Sequence, residues 1–187
     1  MLGVFAGGAS RRMGRPKALL RRGGVTLLER ACRLGDALGL ETVVVGRRPE
    51  LSGLGRPVLE DDPPGVGPLG GLRALLRHAD GAPGLALACD MPFVDADDLR
   101  LLLETEGTIA APRRDGRWEP LCARYGPGAL PLIDAQLAAG RRALQTLLDA
   151  ADTRVVDVPP DHLVDWDAPE DIEALAARSL SCLPRRA

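Results

Sequence analysis

Apolar residues fall along this chain in two alternating rhythms: short unbroken runs, and between them stretches where apolar positions return every three or four residues. The runs Leu2–Ala6, Thr42–Val45, Pro57–Leu59 and Leu85–Cys89 predict strands. Leu85–Cys89 is apolar throughout, which is the pattern of a strand covered on both faces. Further strands are expected over Thr108–Ala111, Pro120–Tyr125 and Val155–Val158. The helical rhythm starts after Thr26, with Leu27, Leu28, Ala31, Leu34 and Leu38 on one face. It returns over Leu69–Ala79, carried by Leu72, Leu75 and Leu76, and again after Asp95, carried by Leu99, Leu102 and Leu103. Asp95 with Asp98 three residues on predicts a capping box. Helices are also expected near Ala129–Ala138, Arg142–Ala150 and Glu170–Leu180.

Strand and helix alternating from end to end predict an α/β fold with a mostly parallel sheet. The 187 residues fit one domain spanning 1–187. Apolar residues make up 45% of the chain but aromatics only 3%, so the core must be built from Leu, Val and Ala. A net charge of −2 argues against a general nucleic-acid binder. The four cysteines, Cys32, Cys89, Cys122 and Cys182, form no Cys-x-x-Cys pair. That fits reduced thiols and a cytoplasmic location rather than a zinc site. No basic stretch precedes the first apolar run, and no run approaches the ~20 residues of a membrane span, so neither a signal peptide nor a membrane is expected.

In parallel sheets the ligand lies beyond the carboxyl ends of the strands. The chemically capable residues fall there: a glycine loop after the first strand, Glu60-Asp61-Asp62 after the third and Asp90 after the fourth. The loop Gly7-Gly8-Ala9-Ser10-Arg11-Arg12-Met13-Gly14-Arg15-Pro16-Lys17 offers backbone amides to an anion and adds the charges of Arg11, Arg12, Arg15 and Lys17. Of 24 basic side chains 23 are arginine; Lys17 alone is lysine, a compact charge where a broad guanidinium would not fit between phosphate oxygens. Its spacing is not that of a P-loop, because five residues separate Gly8 from Gly14 and Ala18 follows the lysine. Gly65-Val66-Gly67-Pro68-Leu69-Gly70 matches a dinucleotide fingerprint in letters only, since Asp61-Asp62-Pro63-Pro64 separates it from any strand. Asp90 is placed either to hold Mg²⁺ beside phosphates or to accept backbone hydrogen bonds in a turn before Pro92. Asp167 with Glu170 has the spacing of a capping box, and metal binding is its alternative. His78 and His162 have no partner at ligand spacing.

Taken together, Phe5–Lys17, Gly67-Pro68-Leu69-Gly70-Gly71-Leu72, Cys89-Asp90-Met91-Pro92-Phe93, Glu119-Pro120-Leu121 and Asp165–Ile172 resemble the ordered signatures of the molybdenum cofactor guanylyltransferases. The chain departs from them in having Asp165 and Asp167 where the family's end motif has asparagines, and Gly46 at the end of strand two. The resemblance implies a Rossmann-like three-layer sandwich of the nucleotide-diphospho-sugar transferase type. It implies transfer of GMP from GTP to the phosphate of molybdenum-molybdopterin, with Mg²⁺ as cofactor and other proteins of molybdenum cofactor biosynthesis as partners. Asp90 would hold the metal, and Arg12, Lys17 and Asp90 would carry catalysis. Nucleotide contacts would come from Phe5, Ala6, Gly7, Gly8, Lys17, Asp61 and Asp90. Gly70, Gly71, Asp165 and Asp167 are further candidates for substrate or a second metal. Members using CTP, or a sugar phosphate as acceptor, share the fold, and a silent GTP-binding module is the non-enzymatic alternative.

Overall fold

The structure is a computed structural model that describes residues 1–6, 17–22, 24–46 and 55–166. The expected helix Glu170–Leu180 lies outside the described residues. The strands are β1 Leu2–Phe5, β2 Arg21–Arg22, β3 Val25–Thr26, β4 Thr42–Val45, β5 Val58–Leu59, β6 Gly84–Ala88, β7 Ile109–Ala111, β8 Arg113–Arg114, β9 Arg117–Trp118, β10 Cys122–Tyr125 and β11 Thr153–Val155. The helices are α1 Leu27–Ala37, α2 Pro68–His78, α3 Ala96–Glu104, α4 Ala129–Ala138 and α5 Leu144–Ala150.

Seven strands form one sheet in the order β11-β7-β10-β6-β1-β4-β5. All neighbours are parallel except β10, which runs antiparallel to both β6 and β7. β1 lies between β4 and β6, with Phe5 opposite Val45 on one side and Ala88 on the other. The three strands therefore end level, and Ala6 N–H to Val45 O (3.1 Å) and Cys89 N–H to Phe5 O (3.1 Å) carry the pairing one residue further. This row of strand ends is the rim on which the functional residues lie.

The apolar faces fall into two buried clusters. One packs α1 and α3 on the sheet through Leu28, Ala31, Leu99 and Leu102. The other packs α2, α4 and α5 on the opposite face through Leu72, Leu75, Ile133 and Leu147. Layered helix, sheet and helix make the expected three-layer sandwich. Thr26 caps α1 and shares a capping box with Glu29, its hydroxyl accepting from Glu29 N–H at 3.1 Å while Glu29 accepts from Thr26 N–H at 2.8 Å. Asp95 and Asp98 form the expected box at the start of α3.

Three expectations need correction. The last strand is Thr153–Val155, not Val155–Val158. Its partner β7 runs into Pro112, which has no N–H to continue the ladder, so Val156 and Val158 serve as buried core residues on irregular backbone. β10 begins at Cys122, because Pro120 and Leu121 lie in the turn that precedes it. The hairpins β2–β3 and β8–β9 were not expected at all, since two-residue strands are too short to show a rhythm.

Candidate active site

Lys17 opens a 3-10 turn, Lys17–Leu19. Its ammonium donates to Asp90 Oδ2 at 2.9 Å. Both side chains are about one-fifth exposed, at 21% and 23%, so the pair is open to a ligand. Asp90 lies two residues past the rim end of β6, where the carboxyl-end rule expects it.

The turn after Asp90 is held from three directions. Trp166 N–H donates to the Asp90 carbonyl at 2.9 Å. Arg22, from β2, donates to Pro92 O, and its guanidinium carbon lies 4.3 Å from the centre of the Phe93 ring. Arg30, from α1, donates to Val94 O at 2.8 Å. Burial lowers the pKa of both guanidinium groups. The Trp166 ring meets Phe93 edge-on, 6.5 Å between centroids. Its Nε1 is buried and makes no hydrogen bond among the described residues.

Across the sheet, beyond β5, the adjacent aspartates do different things. Asp62 accepts from Arg73 and Arg77, each at 2.7 Å. Asp61 makes no hydrogen bond among the described residues, and burial raises its pKa. Its carboxylate lies against the Cα of Gly71: a Cβ there would come within 3.1 Å of Asp61 Oδ1, 3.0 Å of Phe5 Cε1 and 2.6 Å of Val45 Cγ1. A Cβ at Gly70 would meet the Pro63 carbonyl at 2.7 Å. Both glycines are buried in α2, two and three residues inside its start, and let that helix lie flat against the Asp61 loop. Phe5 is buried at the end of β1 on the face of this corner, and Ala6, also buried, lies on the opposite face.

On the other flank, beside β10, Arg114 binds Glu119 (3.0 Å), Asp165 (3.1 Å) and the Leu163 carbonyl. Burial pushes the Glu119 carboxyl up to about 7, with the Asp165 charge adding to the shift and Arg114 opposing it. The structure thus brings Lys17, Asp90 and the backbone beside Asp165 into one rim, with Asp61, Phe5 and Gly71 at one end and Glu119 at the other. Gly7, Gly8, Arg12 and Asp167 lie outside the described residues.

Arg22, Arg114 and Glu119 have roles that sequence reasoning did not assign. A signal for the hairpins was present in Gly23-Gly24 and Asp115-Gly116, dipeptides that favour tight hairpin turns. Asp115 and Gly116 indeed have φ of 50° and 77°. His162, read as having no partner at ligand spacing, lies with Nδ1 2.8 Å from Asp98 Oδ2. Asp95, Asp98 and His162 are the only cluster of three potential metal ligands among the described residues. Asp95 Oδ1 already accepts from the amides of Asp97 and Asp98, and Asp98 Oδ2 from that of Asp95. The cluster is a helix cap extended by a histidine.

Residues 3–157 match the model of the MobA-like NTP transferase domain. A probable molybdenum cofactor guanylyltransferase of Opitutus terrae is 39% identical over 183 residues, covering 90% of each chain. The molybdenum cofactor guanylyltransferase of Rhodobacter capsulatus is 36% identical over 177 residues, again covering 90% of each. Among solved structures, molybdopterin-guanine dinucleotide biosynthesis protein A from Archaeoglobus fulgidus is similar with a TM-score of 0.77 at 24% identity, over 96% of this chain and 98% of that one. The 2-C-methyl-D-erythritol 4-phosphate cytidylyltransferase from Thermus thermophilus is similar with a TM-score of 0.70 at 20% identity, over 97% and 98%. These two likenesses are to the fold.

Proposed function

The chain belongs to the MobA-like NTP transferase family, and from that premise we propose that it transfers GMP from GTP to the terminal phosphate of molybdenum-molybdopterin, releasing pyrophosphate. The observation that carries the reading is the Lys17–Asp90 pair, 2.9 Å apart, which joins the 3-10 turn Lys17–Leu19 to the rim beyond β6, inside two motifs that the family uses for nucleotides.

The reaction joins two anions. An oxygen of the acceptor phosphate attacks the α-phosphorus of GTP in line with the departing pyrophosphate. The acceptor phosphate is ionised at neutral pH, so no general base is required. Neutralising charge is then the main task of the protein. Lys17, already facing a carboxylate, exchanges that partner for phosphate oxygens of the donor. Arg12 and the amides of Gly7 and Gly8 take the pyrophosphate side. Asp61, with no hydrogen-bond partner among the described residues and next to Phe5, accepts the paired N–H groups of guanine.

Asp90 suits magnesium, which is held by one or two protein carboxylates plus substrate phosphates. Its carboxylate is a hard oxygen donor, partly exposed, and it already faces a cation in the Lys17 ammonium. Bound there, the ion would supply charge stabilisation to the phosphate oxygens. Asp165, on the flank away from Asp61, would lie on the acceptor side rather than the donor side.

The test is pyrophosphate release from GTP, CTP and ATP, each with and without molybdopterin, in magnesium and after chelation. GTP with molybdopterin should be the productive pair, and the product should be molybdopterin guanine dinucleotide. Preference for CTP would refute the guanylyl assignment. GTP binding without pyrophosphate release would refute transfer altogether.

A further inference from the structure

We propose that Arg22 is a positioning residue for Asp90, acting through the turn Met91–Val94. The proposal rests on the reading of Asp90 as the magnesium ligand. Arg22 holds this turn in two ways at once: it donates to the Pro92 carbonyl and lays its guanidinium over the Phe93 ring at 4.3 Å. Arg30 holds the next carbonyl, that of Val94, at 2.8 Å. Among the described residues neither arginine makes an ion pair with a carboxylate; their hydrogen bonds go to backbone carbonyls.

That arrangement is unusual for half-buried guanidinium groups, because the desolvation cost is normally offset by an acid. The two arginines also repel each other, and burial together with that repulsion lowers the pKa of Arg30 against the smaller opposing pull of the Asp95 carboxylate. A simple hairpin latch needs none of this, since an apolar contact would hold β2–β3 equally well. What the arginine adds is a planar group that can stack and donate together, so the turn is fixed in both position and rotation. Asp90 immediately precedes that turn, and Trp166 N–H fixes its carbonyl at the other end. Phe93 lies between Arg22 and Trp166, touching both. Asp90 is thereby braced at its own carbonyl and two residues downstream.

The chain path gives the brace a second property. Arg22 is five residues after Lys17, at the far end of the same segment. The segment that carries the phosphate-side lysine therefore also orients the metal-side carboxylate, and the two halves of the site are fixed relative to each other. Partners that orient a metal ligand are worth about 10- to 100-fold in metal affinity when removed.

The experiment uses the full chain with Arg22→Ala, Arg22→Lys, Phe93→Leu and Asp90→Asn. Free Mn²⁺ is followed by electron paramagnetic resonance in the presence of GTP, metal-free GTP affinity by calorimetry, and folding by circular dichroism. Arg22→Ala should weaken Mn²⁺ binding about 10-fold and raise the Mg²⁺ needed for half-maximal turnover in proportion. Metal-free GTP affinity should stay within about twofold, and Arg22→Lys, which keeps the charge over the ring, should recover part of the loss. Phe93→Leu should move Mn²⁺ binding in the same direction, and it carries the test if Arg22→Ala does not fold. Unchanged Mn²⁺ affinity in Arg22→Ala, or in Phe93→Leu when that variant stands in, overturns the proposal. So does a loss of Mn²⁺ and metal-free GTP binding together. Asp90→Asn separates the two readings: if it leaves Mn²⁺ binding intact, Asp90 is not the ligand; if it abolishes binding while Arg22→Ala does not, only the role of Arg22 fails.

Discussion

Gly71→Ala tests the donor corner with a single methyl group. The added carbon would be 2.6 Å from Val45 Cγ1, 3.0 Å from Phe5 Cε1 and 3.1 Å from Asp61 Oδ1. Val45 is fully enclosed on β4 and Phe5 is buried at the end of β1, so neither has room to turn. Asp61 is the neighbour that can yield, because it lies in a loop and is only partly buried. Two terms act on stability. Alanine gains about 1 kcal/mol over glycine inside a helix, and overpacking costs about 1–3 kcal/mol. The net loss should be about 0–2 kcal/mol, or up to about 8 °C in Tm for a chain of this size. The functional effect should be larger. Displacing a carboxylate from a charge-assisted hydrogen bond costs about 1.5–3 kcal/mol, roughly 10- to 150-fold in kcat/KM for GTP. The assay compares GTP with ITP, which lacks the exocyclic amine and so has less to lose. A folded Gly71→Ala protein with wild-type kcat/KM for GTP would refute the reasoning. An equal loss with GTP and ITP would refute the reading of the guanine edge by Asp61.

Three other outcomes are expected. Lys17→Arg should lower turnover by roughly two orders of magnitude, the scale of one lost transition-state charge contact, and wild-type turnover in steady-state kinetics would remove Lys17 from the mechanism. Glu119→Gln should change how stability depends on pH. The folded carboxyl, pushed up to about 7, is above its unfolded value, so its contribution is full at low pH and is lost as pH rises from about 4.5 to about 7. The Tm of the variant relative to wild type should therefore rise between pH 5 and pH 8, and a constant difference by scanning calorimetry would show an ordinary glutamate. Tyr125→Phe removes the donor of a 2.7 Å bond to Pro120 O in a fully buried site, and should cost about 1–3 kcal/mol in urea unfolding. A loss under about 0.3 kcal/mol would mean the carbonyl finds another donor.

The central elements were legible because their burial is written in composition. Leu85–Cys89 shows no polar position, and the structure puts β6 between β1 and β10 with every residue buried. Asp95 and Asp98 announced their cap by spacing alone. Lys17 and Asp90 were legible as chemistry, Lys17 as the one lysine, closing a glycine- and arginine-rich loop, and Asp90 at the end of an apolar run, yet their 2.9 Å contact spans 73 residues and is written nowhere locally. The same limit hid Arg22 and Arg114. Both sit on two-residue strands, and both act on backbone carbonyls of distant segments, Pro92 and Leu163. A carbonyl partner leaves no trace in residue type, so no pairing of letters points to it. Gly70 and Gly71 stood out by their motif, while their physical reason, the closeness of α2 to Asp61 and Phe5, is a property of the folded chain alone.

The reversed direction of β10 divides the rim into parts that can be altered separately. Because β10 runs against its neighbours, its beginning rather than its end lies level with the end of β6, with Cys122 opposite Leu87. β7 runs in the same direction as β6 and carries the chain towards the rim, where it turns before entering β10 and spends that passage on the β8–β9 hairpin. The hairpin pairs only with itself, outside the seven-stranded sheet. Its tip, Asp115-Gly116, is exposed. An insertion at that tip would lengthen one wall of the rim without shifting the register of any strand in the main sheet. Grafting there offers a way to reshape the flank of Glu119 and Asp165 while leaving the Lys17–Asp90 pair and the Asp61 corner as they are.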